Sequence, residues 1–255
     1  MIELNKIYNE NCLITMANMS DNFVDMTLTS PPYDQIRQYN GFSFDFESVA
    51  NQLFRITKMG GVIVWVVGDA TINGNETGTS FKQALYFKEI GFKLYDTMIY
   101  QKMNPPPKNH PRYEQSFEYM FIFSKDKPKT FNPILEDCKC AGLVNKGTMR
   151  NEGKDDLSKK HGYGKLVKNQ KIKSNIWSIP VGKNKDKFIH KHPAIFPEEL
   201  AQNHILSWTN ENDIIYDCFM GSGTVAKMAK LNNRNYIGSE ISKEYCEIIE
   251  KRLQQ

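Results

Sequence analysis

Ser30-Pro-Pro-Tyr33 and Asp217-Cys-Phe-Met-Gly-Ser-Gly-Thr224 hold residue types whose spacing could do chemistry. In the first, a hydroxyl at Ser30 and the carbonyl of Pro31 could accept the two hydrogens of an amino group attached to an aromatic base. Such an amine is a poor nucleophile because its lone pair is delocalised into the ring. Two acceptors favour a pyramidal nitrogen and free the pair for attack. Proline offers a carbonyl with no competing N–H at its own residue, and Pro32 stiffens the loop. The Tyr33 ring could stack on the base, which must first leave the duplex at a cost of a few kcal/mol. Taken alone, a turn that merely ends a strand accounts for Pro31-Pro32 just as well.

In the second stretch, Gly221 and Gly223 would let the backbone pass close to a ligand. Glu240 lies 17 residues beyond Gly223, at the end of the next expected strand. An acid there can accept hydrogen bonds from ribose hydroxyls. A lone Gly-x-Gly says little, but strand, glycine loop, helix, strand and acid in succession point to a nucleoside-containing cofactor.

Hydrophobic patterning supplies the elements that must position these residues. A strand is expected at Phe23–Thr29, broken by Pro31-Pro32. Phe46, Val49, Ala50, Leu53 and Phe54 recur at helical spacing, and Gly60-Gly61 reads as the C-cap of that helix. Val62–Val67 is an unbroken apolar run suited to a parallel strand buried on both faces. A helix near Phe81–Ile90 should end at Gly91, with strands around Leu94–Tyr100 and Phe117–Phe123. Beyond residue 190, Pro197 could open a helix whose Leu200, Ala201, His204, Ile205 and Trp208 share a face. Strand Ile214–Cys218, helix Thr224–Leu231, strand Asn235–Ser239 and helix Ser242–Leu253 follow, the last with Ser242 as N-cap. Alternating strands and helices predict a doubly wound α/β fold with a mostly parallel sheet. In such sheets ligands bind at the carboxyl ends of the strands, and both motifs immediately follow predicted strands.

The chain has 255 residues, 40% hydrophobic and 24% charged, which suits one large globular domain or one with an insertion. No apolar run approaches the roughly 20 residues needed to cross a bilayer. Five scattered cysteines and no signal-like start fit a reducing cytoplasm. The Cys138-x-Cys140 pair has no second pair at zinc spacing, so no metal is expected. The net charge is +4, yet residues 139–191 hold fourteen Lys and Arg against four acids. A basic insertion on an acidic body suggests a polyanion docking on one side; a solvated loop is the plainer alternative.

Together these segments resemble the β-class of S-adenosylmethionine-dependent DNA amino-methyltransferases, over most of the chain outside residues 125–190. In that family a Ser/Asp/Asn-Pro-Pro-aromatic tetrapeptide precedes the glycine-rich loop, as Ser30–Tyr33 precedes Asp217–Thr224 here. Ile7–Cys12 followed by Val24–Tyr33 is similar to the family's amino end, and Lys191–Pro197 resembles the segment on the cofactor's methionine side. The resemblance implies a Rossmann-like methyltransferase fold in circularly permuted motif order. Residues 1–124 would form the catalytic part, 125–190 a basic target-recognition insertion, and 191–255 the cofactor-binding part. Ser30, Pro31, Pro32 and Tyr33 would be catalytic. Asn11, Cys12, Pro193, Phe196, Asp217, Phe219, Gly221, Ser222, Gly223, Thr224 and Glu240 would surround S-adenosylmethionine. The family often has Asp where this chain has Asn11.

The implied reaction is direct displacement, the amine attacking the sulfonium methyl. No Pro-Cys dipeptide exists, so the thiol route to C5-methylcytosine lacks its usual motif. Serine at position 30 is the family's commoner form for cytosine N4; aspartate or asparagine is commoner for adenine N6. Cytosine N4 is therefore favoured, with adenine N6 the alternative. The expected partner is DNA, read by loop Lys102–Tyr113 and the insertion, where Arg150 or Asn145 could reach base edges. A restriction endonuclease partner and a monomeric or homodimeric state both stay open. A nicotinamide oxidoreductase would share the Gly-x-Gly loop but leave Ser30–Tyr33 and the lysines unexplained. RNA amino-methyltransferases usually place the glycine loop before the Pro-Pro motif, the reverse of this order.

Overall fold

The computed structural model describes residues 2–32, 45–105, 111–150, 157–159, 162–181 and 196–254. Tyr33, Pro193 and part of the Lys102–Tyr113 loop lie outside the described residues. In chain order, β1 (Lys6–Tyr8) leads to α1 (Cys12–Ala17), β2 (Val24–Thr29), α2 (Phe46–Ile56) and β3 (Thr57–Val67). The hairpin β4 (Thr71–Ile72) and β5 (Asn75–Glu76) precedes α3 (Thr79–Glu89), β6 (Lys93–Lys102) and β7 (Phe117–Ser124). Four short strands follow: β8 (Leu135–Asp137), β9 (Thr148–Arg150), β10 (Leu157–Lys159) and β11 (Gln170–Ile172). The chain continues through β12 (Ile176–Ile179), α4 (Glu198–Trp208), β13 (Ile214–Asp217), α5 (Thr224–Leu231), β14 (Asn235–Ser239) and α6 (Lys243–Leu253).

Eight strands form one sheet in the order β1-β14-β13-β2-β3-β7-β6-β12. All neighbours are parallel except those of β7, which runs antiparallel to both β3 and β6. From β2 the chain moves through α2 to β3 in one direction; from β13 it moves through α5 to β14 in the other. The boundary between β13 and β2 is therefore the topological switch point, where the loops after the two strands diverge and leave a crevice.

The run Val62–Val67 is buried throughout. Ile63, Trp65 and Val67 pack with Val49, Ala50, Leu53 and Phe87 of α2 and α3. The intervening residues face the opposite layer, as the period of two requires. There Leu200, Ala201, His204, Ile205 and Trp208 of α4 are all buried, as their spacing predicts, and α4, α5 and α6 pack side by side. Side-chain caps start α2 at Asp45, which accepts from Ser48 N, and α6 at Ser242, which accepts from Tyr245 N.

One expected boundary needs correction. Gly60-Gly61 does not cap α2, which ends at Ile56; both glycines lie inside β3. Thr57 N and Oγ1 both donate to Leu53 O and close the helix earlier. A Cβ at Gly61 would fall 2.9 Å from the carbonyls of Asp25 and Lys58, so the residue serves close strand approach.

The described residues divide into two compact units, 1–132 with 175–255, and 133–174. The smaller contains two antiparallel pairs, β8 with β11 and β9 with β10, and a bridge between Val144 and Leu166. The stretch from residue 175, read from sequence as insertion, instead supplies β12 to the main sheet beside β6. Among the described residues no helix is long and apolar enough to cross a membrane, and no His/Cys/Asp/Glu group could hold a metal.

Candidate active site

Because β1, β14, β13 and β2 are parallel neighbours, their carboxyl ends bring Asn9–Cys12, Glu240, Asp217–Thr224 and Ser30–Pro32 to one edge of the sheet. Thr29, the last residue of β2, donates from Oγ1 to Asp217 Oδ1 at 2.7 Å inside the core. The same oxygen accepts Phe219 N at 3.1 Å. This joint links the strand carrying Ser30 to the strand carrying the glycine loop across the switch point. Ser30 and Pro32 are half-buried and Pro31 is buried.

Asp217 is 4% exposed. Burial pushes its carboxyl up to about 7, against the opposing pull of the Thr29 and Phe219 hydrogen bonds. Glu240 is also buried and held above the usual carboxylate range chiefly by desolvation. Its Oε2 accepts Gly221 N and its Oε1 accepts Ser242 N, each at 2.8 Å. The acid thus holds the glycine loop and the start of α6 in place. Two carboxylate oxygens offer about four lone-pair sites, so these bonds leave room for ribose hydroxyls.

The loop is tightly tied. Met220 N donates to Ser239 O and Gly223 N to Met220 O. Gly223 has φ 76° and ends in the first turn of α5. A Cβ there would sit 2.5 Å from Ile249 Cγ2, so α6 presses directly against the loop. Ser222 and Thr224 are buried; Phe219 is half-buried, its ring edge-on to Trp65 at 6.4 Å.

Of the residues expected near the cofactor from the amino end, Asn11 is exposed and accepts Leu13 N at 2.9 Å as the N-cap of α1. Cys12 is buried, with its thiol pushed up to about 11 by desolvation. Its carbonyl faces Tyr216 OH at 3.5 Å, and that hydroxyl also meets Ser239 Oγ at 2.8 Å. Phe196 is half-buried, one residue before the Pro197 N-cap of α4.

Thr29, Glu198, Lys227 and Arg252, none of them given a role by the sequence motifs, also shape the site. Arg252 Nη1 donates to the Ser222 carbonyl, and to Ser222 Oγ and Thr224 Oγ1 at 3.2 Å each. Its Nη2 donates to Glu198 Oε1 at 3.1 Å, which also takes Lys227 Nζ at 2.8 Å. A signal for Arg252 did exist. It falls four residues after Ile248 and three after Ile249, on the apolar stripe of α6 rather than its solvent face.

The N6_N4_Mtase family model, described as a DNA methylase, matches residues 24–251. The orphan methyltransferase M.BamHII of Bacillus amyloliquefaciens is 57% identical over 243 residues, covering 92% of this chain and 91% of that protein. The type II methyltransferase M.BglII of Bacillus subtilis is 29% identical over 258 residues, covering 96% and 68%. Among solved structures, the PvuII DNA methyltransferase (cytosine-N4-specific) superposes with a TM-score of 0.72 at 19% identity, over 97% of this chain and 85% of that one. The M1.HpyAVI–SAM complex gives 0.61 at 24% identity, over 97% and 99%.

Proposed function

This chain belongs to the N6/N4 family of S-adenosylmethionine-dependent DNA methyltransferases, and from that premise we propose that its target is the N4 amino group of cytosine within a specific DNA site. The observation that carries the choice of base is serine, rather than aspartate or asparagine, at the head of Ser30-Pro-Pro-Tyr33. The Thr29–Asp217 joint supports an active role for it, since Ser30 follows directly on a residue bonded to the strand that opens the glycine loop.

The residues at the switch point fit the cofactor. Glu240 offers acceptors for sugar hydroxyls, Phe219 a half-buried ring, and the loop a backbone fixed at the amides of Phe219, Met220, Gly221 and Gly223. S-adenosylmethionine, held by Asp217–Thr224 and Glu240 with Phe196 and Pro193 on its methionine side, supplies an electrophilic methyl on a sulfonium. Asn11 and Cys12 would lie toward its adenine. The protein's own part is at the amine. Ser30 Oγ and the Pro31 carbonyl accept its two hydrogens, and Pro32 keeps the loop stiff. Tyr33 stacks on the flipped ring. Rate enhancement on this reading comes from orientation and fixed acceptors rather than from a covalent enzyme–base adduct.

Recognition is assigned to the basic segment 125–190 with the Lys102–Tyr113 loop, where lysines would make phosphate contacts. The experiment is nucleoside mass spectrometry after incubating the protein with unmethylated mixed-sequence DNA and S-adenosylmethionine. New N4-methylcytosine is the expected result. N6-methyladenine would leave the chemistry intact and refute the assignment of Ser30 to cytosine.

A further inference from the structure

We infer that Arg252 is a positioning residue for the cofactor loop, setting cofactor affinity through the Ser222 peptide without touching the reacting atoms. This rests on the reading of Asp217–Thr224 as the cofactor loop. The guanidinium is fully buried beneath that loop. Four other ties hold the loop backbone: Phe219 N to Asp217, Met220 N to Ser239 O, Gly221 N to Glu240, and Gly223 N to Met220 O. All four come from the loop itself or the strand ends beside it. Arg252 alone among these reaches it from α6, and it grips the opposite pole of the peptide chain, the Ser222 carbonyl, together with two hydroxyls.

The fork geometry of a guanidinium is what makes this arrangement work. One terminal nitrogen serves the loop while the other is anchored on Glu198, and Glu198 is itself fixed by Lys227. The five residues of the clamp come from α4, the loop, α5 and α6, so it ties the loop to all three helices of that layer. Lysine is a point charge on a flexible stem and cannot hold both ends at once. Without the fork, the buried Ser222 carbonyl and the Ser222 and Thr224 hydroxyls lose their common donor. The peptide is then free to turn towards other partners, and the cofactor must pull it back on binding. Affinity falls, while the saturated complex keeps the same acceptors at the amine.

The test uses the full chain. S-adenosylmethionine Kd is measured by titration calorimetry, and cofactor KM and kcat on methylatable DNA, for wild type, Arg252→Lys and Arg252→Met, with melting curves for each. The expected result is a Kd and KM about tenfold or more higher in Arg252→Lys, with kcat at saturating cofactor within about threefold of wild type. Arg252→Met should be weaker still. A folded Arg252→Lys that binds cofactor within twofold of wild type overturns the inference. Should neither Arg252 variant fold, Glu198→Gln decides: a threefold or greater rise in Kd supports the clamp, and an unchanged Kd refutes it. Glu240→Ala, run alongside, separates the two levels. If it binds the cofactor as wild type does, the reading of the loop itself fails; if it loses binding while Arg252→Lys keeps it, only the clamp does.

Discussion

Replacing Thr29 with valine keeps the shape of a buried β-branched residue and removes one hydrogen-bond donor. In wild type that donor lies 2.7 Å from Asp217 Oδ1, and the carboxyl titrates near 7 because burial outweighs its hydrogen bonds. The unfolded carboxyl titrates at 3.8. The folded chain therefore binds a proton between those values that the unfolded chain has released. Wild-type stability from this group is fully present below pH 3.8 and falls as pH rises through about 7, by about 1.4 kcal/mol per unit. A hydrogen bond to a charged group contributes about 1.5–3 kcal/mol, and one to a neutral group about 1 kcal/mol. Thr29→Val should thus push the Asp217 carboxyl further up. The destabilisation should be about 1 kcal/mol at pH 6, where Asp217 is protonated, and about 2–3 kcal/mol above pH 8, where it is ionised. Urea unfolding of both proteins at pH 6 and pH 8.5 measures the difference, with other titrating groups cancelling between them. Equal destabilisation at both pH values would refute the idea that the Thr29 hydroxyl holds the charge of a titrating Asp217.

On the proposed reading, in which Ser30 accepts a hydrogen of the target amine, Ser30→Ala should lose most methyl transfer yet bind S-adenosylmethionine normally, as read by turnover and calorimetry. Raising salt from about 50 to 200 mM should weaken DNA binding by orders of magnitude in a filter or anisotropy assay, given the clustered lysines. His204 is fully buried, its ring centroid 4.6 Å from that of Trp177 at a 35° tilt, with Nδ1 unpartnered and its pKa pushed down to about 3 by desolvation. Its neutral form is favoured on folding, so this group's contribution to stability should fall by about 1.4 kcal/mol per unit as pH drops below 6.5, opposite in sign to that of Asp217; the difference between wild type and His204→Phe in urea unfolding should change by that slope between pH 6.5 and pH 4. Gly223→Ala meets both a left-handed φ and Ile249 Cγ2 at 2.5 Å. It should cost about 1–3 kcal/mol in urea unfolding and weaken cofactor binding.

Where a single physical signal dominated, the sequence was a good guide. Helix Thr224–Leu231 and strand Asn235–Ser239 were legible to the residue, because a glycine loop and an apolar run left no competing pattern. The Gly60-Gly61 pair misled because glycine marks a close backbone approach as readily as a helix end, and only the neighbouring Asp25 carbonyl distinguishes the two. β1 and β12 escaped notice: three and four residues carry too little periodicity, and pairing with β14 and β6 is what makes them strands. At the candidate site, Ser30–Pro32, the glycine loop and Glu240 come to one edge of the sheet, as their places after strands implied. Glu240 was read only as a ribose acceptor, whereas in the structure it braces Gly221 and Ser242. Arg252 was missed because its partners are 30 and 54 residues away in sequence.

The strand order carries a consequence for how the protein comes into being. β13 and β14, made late in synthesis, sit between β1 and β2, made first. Until Ile214–Asp217 has left the ribosome β2 presents an unpaired edge, and until Asn235–Ser239 follows β1 has no neighbour among the strands already made. The edge is a hazard for sticking to other chains, and long-range closure of this kind is slow. A nascent or prematurely stopped chain lacking residues 214–239 would carry Ser30 with no partner for Thr29 and no glycine loop, so it would be inert rather than partly active. Two separately expressed pieces cut between residues 133 and 174 would each be silent. They could regain activity only by interleaving their strands, which makes methylation itself a reporter of whether two such pieces have met.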